Sequence, residues 1–428
     1  MPFRRDLATA RKLVVEALHA RRLQRRLWPL YRERERLERG EAEVVVYFAD
    51  SDVNMYQIRQ WYAPLAELHR THPVTIIARH PTAALALLQE SPVPIVYARK
   101  VAQLEDFIDK QELRVVLYVN QNAKNFQMMR YGRMWHVFIN HGESDKMYMT
   151  TNQFKAYDYA FVAGDAALER LGRVLWDYDF DKRAIPIGRP QADHFAGALP
   201  YEPDDRTVVL YAPTWEGDRP AAAYGSIATH GRELVRALTA TGRHRVIYRP
   251  HPRSGVLDEE YGRAHREIVA ELARANAADP GAQHVFDDGP EMGWQLAAAD
   301  IAVCDISAMV YDRLATGKPI MVTRPAHPEA SVDESGYLGA AEWLTVEGAA
   351  DAVAELDRVI GSSDAQERLQ HWVHRHFGDT APGAATARFH AAIERLLEAW
   401  DRHARLHDAT DVPTASDPSS QHPLRQAG

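Results

Sequence analysis

Four short segments join polar side chains that can move protons or grip phosphates to the turn residues that would expose them. The first is His141-Gly142-Glu143-Ser144-Asp145-Lys146, directly after the apolar run Val137–Ile139. An imidazole titrates near neutral pH, so His141 is a candidate base toward an acceptor hydroxyl. Gly142 permits a tight turn with exposed backbone N–H groups, and Lys146 is a candidate phosphate partner. An incidental histidine in a turn is the competing reading. The second segment, Tyr211-Ala212-Pro213-Thr214-Trp215-Glu216-Gly217, ends a strand in a proline turn and leaves Thr214 and Trp215 at a rim. The third, Arg249-Pro250-His251-Pro252, sets Arg249 and His251 two apart on backbone stiffened by prolines. Two such side chains can donate to a pyrophosphate, and a purely structural turn fits each one equally. The fourth is Asp305-Ile306-Ser307-Ala308-Met309-Val310-Tyr311-Asp312. A helix should begin there at Ser307 or Ala308, with free N–H groups that attract anions. Ser307 also reads as an ordinary N-cap, a role compatible with the first.

Each segment needs a strand to present it. Short apolar runs alternate with helical stretches from Glu43 onward. Strands are predicted at Val44–Phe48, Val74–Ala78, Pro94–Tyr97, Val115–Tyr118, Val137–Ile139, Tyr159–Val162 and Ala184–Ile187. After a Pro- and Asp-rich linker, Leu199–Asp205, a second series runs through Val208–Tyr211, Arg245–Tyr248, His284–Phe286, Ile301–Cys304 and Pro319–Val322. Runs this uniformly apolar suit parallel sheets covered on both faces. The fold class is therefore α/β, with two Rossmann-like doubly wound domains facing across a cleft. Ligands in such folds sit outside the carboxyl ends of the strands. The boundaries read as a basic helical extension over 1–40, a first domain over 41–200, a second over 201–380, a C-terminal helix over 381–406 and a disordered tail over 407–428.

Composition narrows the functional classes. The chain has 428 residues, 46% hydrophobic and 26% charged, which suits a soluble globular protein of two or three domains. Its one cysteine, Cys304, lies in an apolar run and reads as a small buried hydrophobe. No Cys/His cluster suggests zinc, no paired acids are placed to hold another metal, and no cofactor is expected. No apolar run approaches the ~18 residues of a membrane span, and no secretory h-region precedes the first domain, so the expected location is the cytoplasm. The net charge is -8, yet residues 1–39 hold twelve Arg/Lys against five Asp/Glu. A basic head on an acidic body argues against nucleic acid as a partner and for an anionic membrane surface touched through residues 4–31. Leu7, Leu13, Leu18, Leu23, Leu27 and Leu30 would face the lipid, with Trp28 and Tyr31 at headgroup depth. A helix packed on its own domain is the alternative.

Taken in order, the four segments resemble the CDP-glycerol:glycerophosphate glycerophosphotransferases, enzymes of GT-B architecture. That family carries His-Gly-x-x-x-Lys, Tyr-Ala-Pro-Thr-Trp, Arg-x-His-Pro and Asp-x-Ser-Ser motifs. Asp312, Lys318-Pro319-Ile320 and His376-Phe377-Gly378-Asp379 also fall at matching places, and the resemblance spans about residues 135–395. It implies His141 as the base toward the acceptor, and Arg249 and His251 on the pyrophosphate and the departing cytidine monophosphate. It implies Thr214, Asp305, Ser307 and Ala308 beside the donor phosphates, with Gly142, Lys146, Trp215 and Asp312 as further site positions. The implied partners are CDP-glycerol or a related CDP-polyol and a lipid-linked acceptor, in synthesis of a teichoic-acid-like polymer at the inner membrane face. Two departures stand out. Glu143-Ser144-Asp145 replaces the usual Thr-Pro-Leu, and Ala308 replaces the second serine, which removes a side-chain hydrogen bond of ~1 kcal/mol. The alternatives are a nucleotide-sugar glycosyltransferase of the same architecture and a membrane-associated homologue that binds without turnover.

Overall fold

The computed structural model describes residues 22–23, 25–33, 37–142, 151–289 and 292–410. Lys146, the acidic residues at 143 and 145, most of the basic N-terminal extension and the C-terminal tail lie outside them.

Thirteen strands form two all-parallel sheets. The first contains β1 (Val44–Phe48), β2 (Val74–Ala78), β3 (Ile95–Tyr97), β4 (Val115–Tyr118), β5 (Trp135–Phe138), β6 (Tyr159–Val162) and β7 (Ala184–Pro186). The second contains β8 (Thr207–Ala212), β9 (His244–Tyr248), β10 (Val285–Phe286), β11 (Ile301–Cys304), β12 (Ile320–Thr323) and β13 (Trp343–Leu344). Their orders are β3-β2-β1-β4-β5-β6-β7 and β10-β9-β8-β11-β12-β13. Both sheets thus start in the middle, run outward one way, then reverse. The reversal opens a crevice between β1 and β4 in the first sheet and between β8 and β11 in the second, the place where doubly wound folds bind ligands. This is the GT-B architecture.

In β1, β2, β4, β9, β11 and β12 every residue is buried, and alternate residues serve opposite layers. Val44, Val46 and Phe48 enter one core cluster while Val45 and Tyr47 enter another. Likewise Val208, Leu210 and Ala212 pack on one side of the second sheet, and Val209 and Tyr211 on the other. Cys304 is fully buried, and burial pushes its thiol up to about 12.

Three features depart from the sequence reading. The Leu199–Asp205 stretch is exposed except at Tyr201, yet it is pinned to the second domain. Arg245 lies 4.4 Å over the Tyr201 ring and grips both Asp204 oxygens at 2.9 Å. The two-residue edge strand β13 was too short to carry a pattern. The third concerns residues 25–33, which are helical as expected. Leu27, however, is fully buried in the first domain's core, with Leu30 and Tyr31 packed against it. Those side chains are spent on the protein, so they do not face a lipid surface, and Trp28, Pro29, Glu33 and the flanking arginines look outward.

The last helix, Ala384–Thr410, follows the second domain in sequence yet buries its face in the first. Phe389, Ala392, Ile393, Leu396 and Leu397 recur at helical spacing and enter the core around β1. Trp135 Nε1 donates to the Leu396 carbonyl at 3.0 Å and Trp400 Nε1 to that of Arg133 at 2.7 Å. The crossing back occurs beside Gly188 (φ +74°), where an added Cβ would stand 2.9 Å from the Phe377 carbonyl oxygen. Only glycine fits there.

Candidate active site

The switch point of the second sheet gathers three of the four sequence segments. The ladder continues beyond the strands: Arg249 N–H donates to the Tyr211 carbonyl at 2.9 Å and His251 N–H to that of Pro213 at 3.1 Å. On the other side, Thr214 N–H donates to Asp305 Oδ2 at 2.8 Å. The ends of β9, β8 and β11 are therefore bonded edge to edge, with Thr214 between His251 and the Asp305–Ser307 turn.

Asp305 holds this arrangement from inside. It is fully buried, and its oxygens accept from Thr214 N, from Ser226 N at 3.0 Å and from Thr323 Oγ1 at 2.6 Å. Burial raises its carboxyl to about 6 against those hydrogen bonds. Expected beside the donor phosphates, this carboxylate is instead sealed beneath the rim, which it holds from inside. Ser307 does cap its helix, Ala308–Leu314, with Oγ accepting from Met309 N at 3.3 Å. Ala308 is exposed at the first turn.

His251 is exposed, and its Nδ1 accepts from Arg253 N at 3.1 Å. That bond leaves the ring proton on Nε2, the form that donates to an anion. Arg249 is not free to swing. Its guanidinium pairs with Asp287 and donates to the Gly289 carbonyl at 3.1 Å. Trp215 stands at the rim as expected, with the Arg253 guanidinium 3.9 Å from its ring centroid. Glu216, unremarked in the sequence, accepts from the backbone N–H groups of Gly255, Leu257 and Asp258 at 3.0, 2.8 and 3.1 Å. Those bonds hold its carboxyl below the usual range, against burial.

His141 follows β5 in the first sheet. Its Nδ1 lies 2.9 Å from the Val119 carbonyl and can only donate to it, so in the neutral ring Nε2 carries the lone pair. Burial lowers the imidazole's pKa most, the Val119 contact opposes this, and the Arg189 charge lowers it further. The lowering favours the neutral ring, the form a base needs. The turn itself corrects the role given to Gly142. The left-handed residue is Asn140 (φ 56°), whose side chain accepts from His141 N at 2.8 Å and donates to the Gly142 carbonyl at 2.6 Å. Trp61 Nε1 anchors the Asn140 carbonyl at 2.5 Å. Asparagine tolerates this conformation because its short side chain bonds its own backbone.

Further polar groups line the first domain's crevice. Asn120, after β4, donates to Asp50 Oδ2 at 2.6 Å and Gln57 Oε1 at 2.7 Å, and the Tyr56 ring meets His141 edge-on at 5.9 Å. Arg189 joins the two halves: its Nη2 donates to Gln60 Oε1 at 3.2 Å and its guanidinium pairs with Asp312 on the helix that Ser307 caps. A Cβ on Gly142 would lie 3.7 Å from Arg189 Nη1. Arg189 thus lies near the His141 turn and is paired with the Ser307 helix. Among the described residues, no cluster of His, Cys, Asp and Glu could hold a metal ion.

Similarity to known proteins agrees with this layout. No curated protein matches the chain. Among solved structures, the wall teichoic acid polymerase TagF superposes with a TM-score of 0.54 over 94% of this chain and 98% of its own, at 13% identity. A TagF variant soaked with CDPG gives 0.53 over 85% and 90%, at 12% identity. A UDP-N-acetylglucosamine 2-epimerase homologue from Listeria monocytogenes gives 0.51 over 84% and 97%, at 14% identity. At such identities the likeness is one of fold, shared by proteins of differing chemistry. Residues 139–329, which hold all four motifs, match the model of the CDP-glycerol:poly(glycerophosphate) glycerophosphotransferase family.

Proposed function

We propose that the protein transfers glycerol phosphate, or a similar polyol phosphate, from a CDP-activated donor to a hydroxyl of a lipid-linked acceptor, releasing CMP, in assembly of a teichoic-acid-like envelope polymer. The observation that carries this reading is the state and place of His141. Its Nδ1 faces the Val119 carbonyl, which leaves Nε2 as the basic nitrogen of the neutral ring, and the turn that bears it lies near Arg189, the ion-pair partner of Asp312 on the helix capped by Ser307.

The acceptor oxygen attacks the phosphorus that bears the glycerol. A new P–O bond forms, the bond to the bridging oxygen of the diphosphate breaks, and CMP leaves with that electron pair. The acceptor proton passes to His141 Nε2. His251 donates from Nε2 to the phosphate oxygens as charge builds there, and the exposed rim at Thr214, Ser307 and Ala308 supplies further donors. Groups fixed in advance are effective because nothing must reorganise during the step. Arg249, held by Asp287, adds positive charge without moving. Lys146 is a further phosphate partner in this scheme.

The acceptor enters beside Asp50, Asn120 and Tyr56 in the first domain's crevice. No helix among the described residues is long and apolar enough to cross a membrane. A peripheral attachment on the cytoplasmic face would use the outward side of the N-terminal helix, where Arg22, Arg25, Arg26, Trp28 and Arg32 are exposed.

The test is CMP release, measured with CDP-glycerol, CDP-ribitol and UDP-sugars in the presence of a lipid-linked polyol phosphate. The protein should release CMP from a CDP-polyol, and His141→Asn should lower the rate by about 100-fold or more. Turnover of a UDP-sugar alone, or a fully active His141→Asn, would refute the proposal.

A further inference from the structure

Arg189 stands where the two domains meet, and the transfer step makes no direct use of it. It follows β7 after Gly188 and is only 6% exposed. Gln60, which accepts its Nη2, belongs to the first domain, and Asp312, its ion-pair partner, to the second. Its other terminal nitrogen would stand 3.7 Å from a Cβ built on Gly142. Its Nε is buried and has no hydrogen-bond partner among the described residues. Adhesion alone would not favour such a group, since a buried ion pair gains little over apolar packing of the same volume. What a guanidinium provides is a rigid fork with fixed angles. Here the fork reaches Asp312 on the Ser307 helix and Gln60 of the first domain, and lies near the turn bearing His141.

We propose that Arg189 is a positioning residue, registering the His141 turn of the first domain against the Asp305–Asp312 segment of the second. The inference rests on the transferase reading, in which His141 is the base. The fork sets how far His141 Nε2 stands from an acceptor oxygen aimed at the donor phosphorus. Among the described residues, four groups face the His141 ring or its charge: the Val119 carbonyl, the Tyr56 ring edge, Arg189 and Asp50. Arg189 is the cation among these four, so it also disfavours protonation of the base.

Arg189→Lys, Arg189→Gln and Asp312→Asn separate fork, charge and ion pair. CMP release would be followed against pH, together with the histidine Cε1 resonances of the full chain by NMR, His141 being assigned through His141→Asn. All three variants should lose about 10- to 100-fold in kcat, the scale of a misplaced catalytic group. The KM for CDP-glycerol should stay within about threefold, because the lost contacts do not bind the donor. In Arg189→Gln alone, the His141 resonance and the acid limb of kcat/KM should both move to higher pH. Arg189→Lys keeps the charge and should leave them in place.

An unchanged His141 titration in Arg189→Gln would overturn the proposal, as would a rise in KM with kcat intact, which marks a donor-binding residue. Thermal destabilisation with kcat intact would make Arg189 a structural clamp and would also overturn it. If the unmodified protein released no CMP from any CDP-polyol, the transferase reading would fail by itself. The NMR titration would still show whether Arg189 stands over His141. Should Arg189→Gln not fold, Asp312→Asn carries the kinetic test and Arg189→Lys the titration.

Discussion

Asp305 separates geometry from charge more cleanly than any other residue of the site. Its carboxylate is sealed from solvent and accepts from two backbone N–H groups and one hydroxyl. Asp305→Ala would leave Thr214 N, Ser226 N and Thr323 Oγ1 buried without an acceptor. At about 1–3 kcal/mol for each orphaned group, partly relieved by relaxation, the loss should total about 3–6 kcal/mol. Asp305→Asn behaves differently. One amide oxygen can take the place of Oδ2 and accept both N–H groups, while the amide nitrogen donates to Thr323 Oγ1. It should therefore keep the rim in shape and remove only the charge. Burial raises the carboxyl from 3.8 to about 6, so the folded state holds its proton more tightly than the unfolded chain. The stabilisation from the protonated form is complete below 3.8 and is lost as pH rises to 6. That gap corresponds to about 3 kcal/mol. The asparagine variant has no such proton to lose, so it should gain on the parent by up to about 3 kcal/mol between about pH 4 and pH 7. Urea titrations of the parent and both variants at several pH values would measure this. Equal losses in Asp305→Ala and Asp305→Asn, or a pH-independent difference between Asp305→Asn and the parent, would refute the reasoning.

Three further outcomes follow from the site and its supports. Glu216→Ala removes the acceptor for Gly255, Leu257 and Asp258 N–H groups, so hydrogen exchange at those amides should speed up while the global unfolding midpoint changes little. Leu27→Ala opens a cavity in the first domain's core and should destabilise it by about 2–5 kcal/mol in a urea titration. A loss below about 1 kcal/mol would show that this helix is not part of the core. The activity should also have an acid limb below the ordinary histidine range: burial lowers His141's pKa, so the base stays neutral until the pH falls beneath that of a free imidazole. A limb lying above the free-imidazole value would show that another group titrates.

Strand-forming runs such as Val44–Phe48 and Val115–Tyr118 were legible because burial on both faces leaves no polar position to break the pattern. The motif segments were legible because they sit where those runs stop. What escaped was defined by contact across long sequence separations. Arg189 follows the three-residue edge strand β7, and nothing local in Gly188-Arg189-Pro190 distinguishes it from an ordinary turn; its meaning comes from Asp312. Asp287 and Glu216 likewise matter through Arg249 and the 255–258 loop. Leu27 was placed in the lipid-facing stripe because an amphipathic helix has the same period whether its apolar side meets a membrane or a core. The turn at 140–142 was misassigned by one rule: glycine was credited with the special backbone, whereas Asn140 holds it.

The arrangement explains why individually weak motifs become specific together. Each sheet repeats the order that opens a crevice at its centre, and each crevice alone offers only part of the chemistry. On the proposed reading, the first contributes a base and the second a rim of hydrogen-bond donors. Neither half would then transfer a group alone, which would make the relative placement of the two domains part of the catalytic apparatus. Two elements fix that placement from opposite ends of the chain. The helix Ala384–Thr410 carries the second domain's last segment back into the first domain's core, and Arg189 reaches from the first domain to the helix capped by Ser307. The helix acts through apolar area, which tolerates small shifts, and the guanidinium through directed bonds, which do not. Adhesion and register are thus divided between two structures, and register is the more readily lost to one substitution.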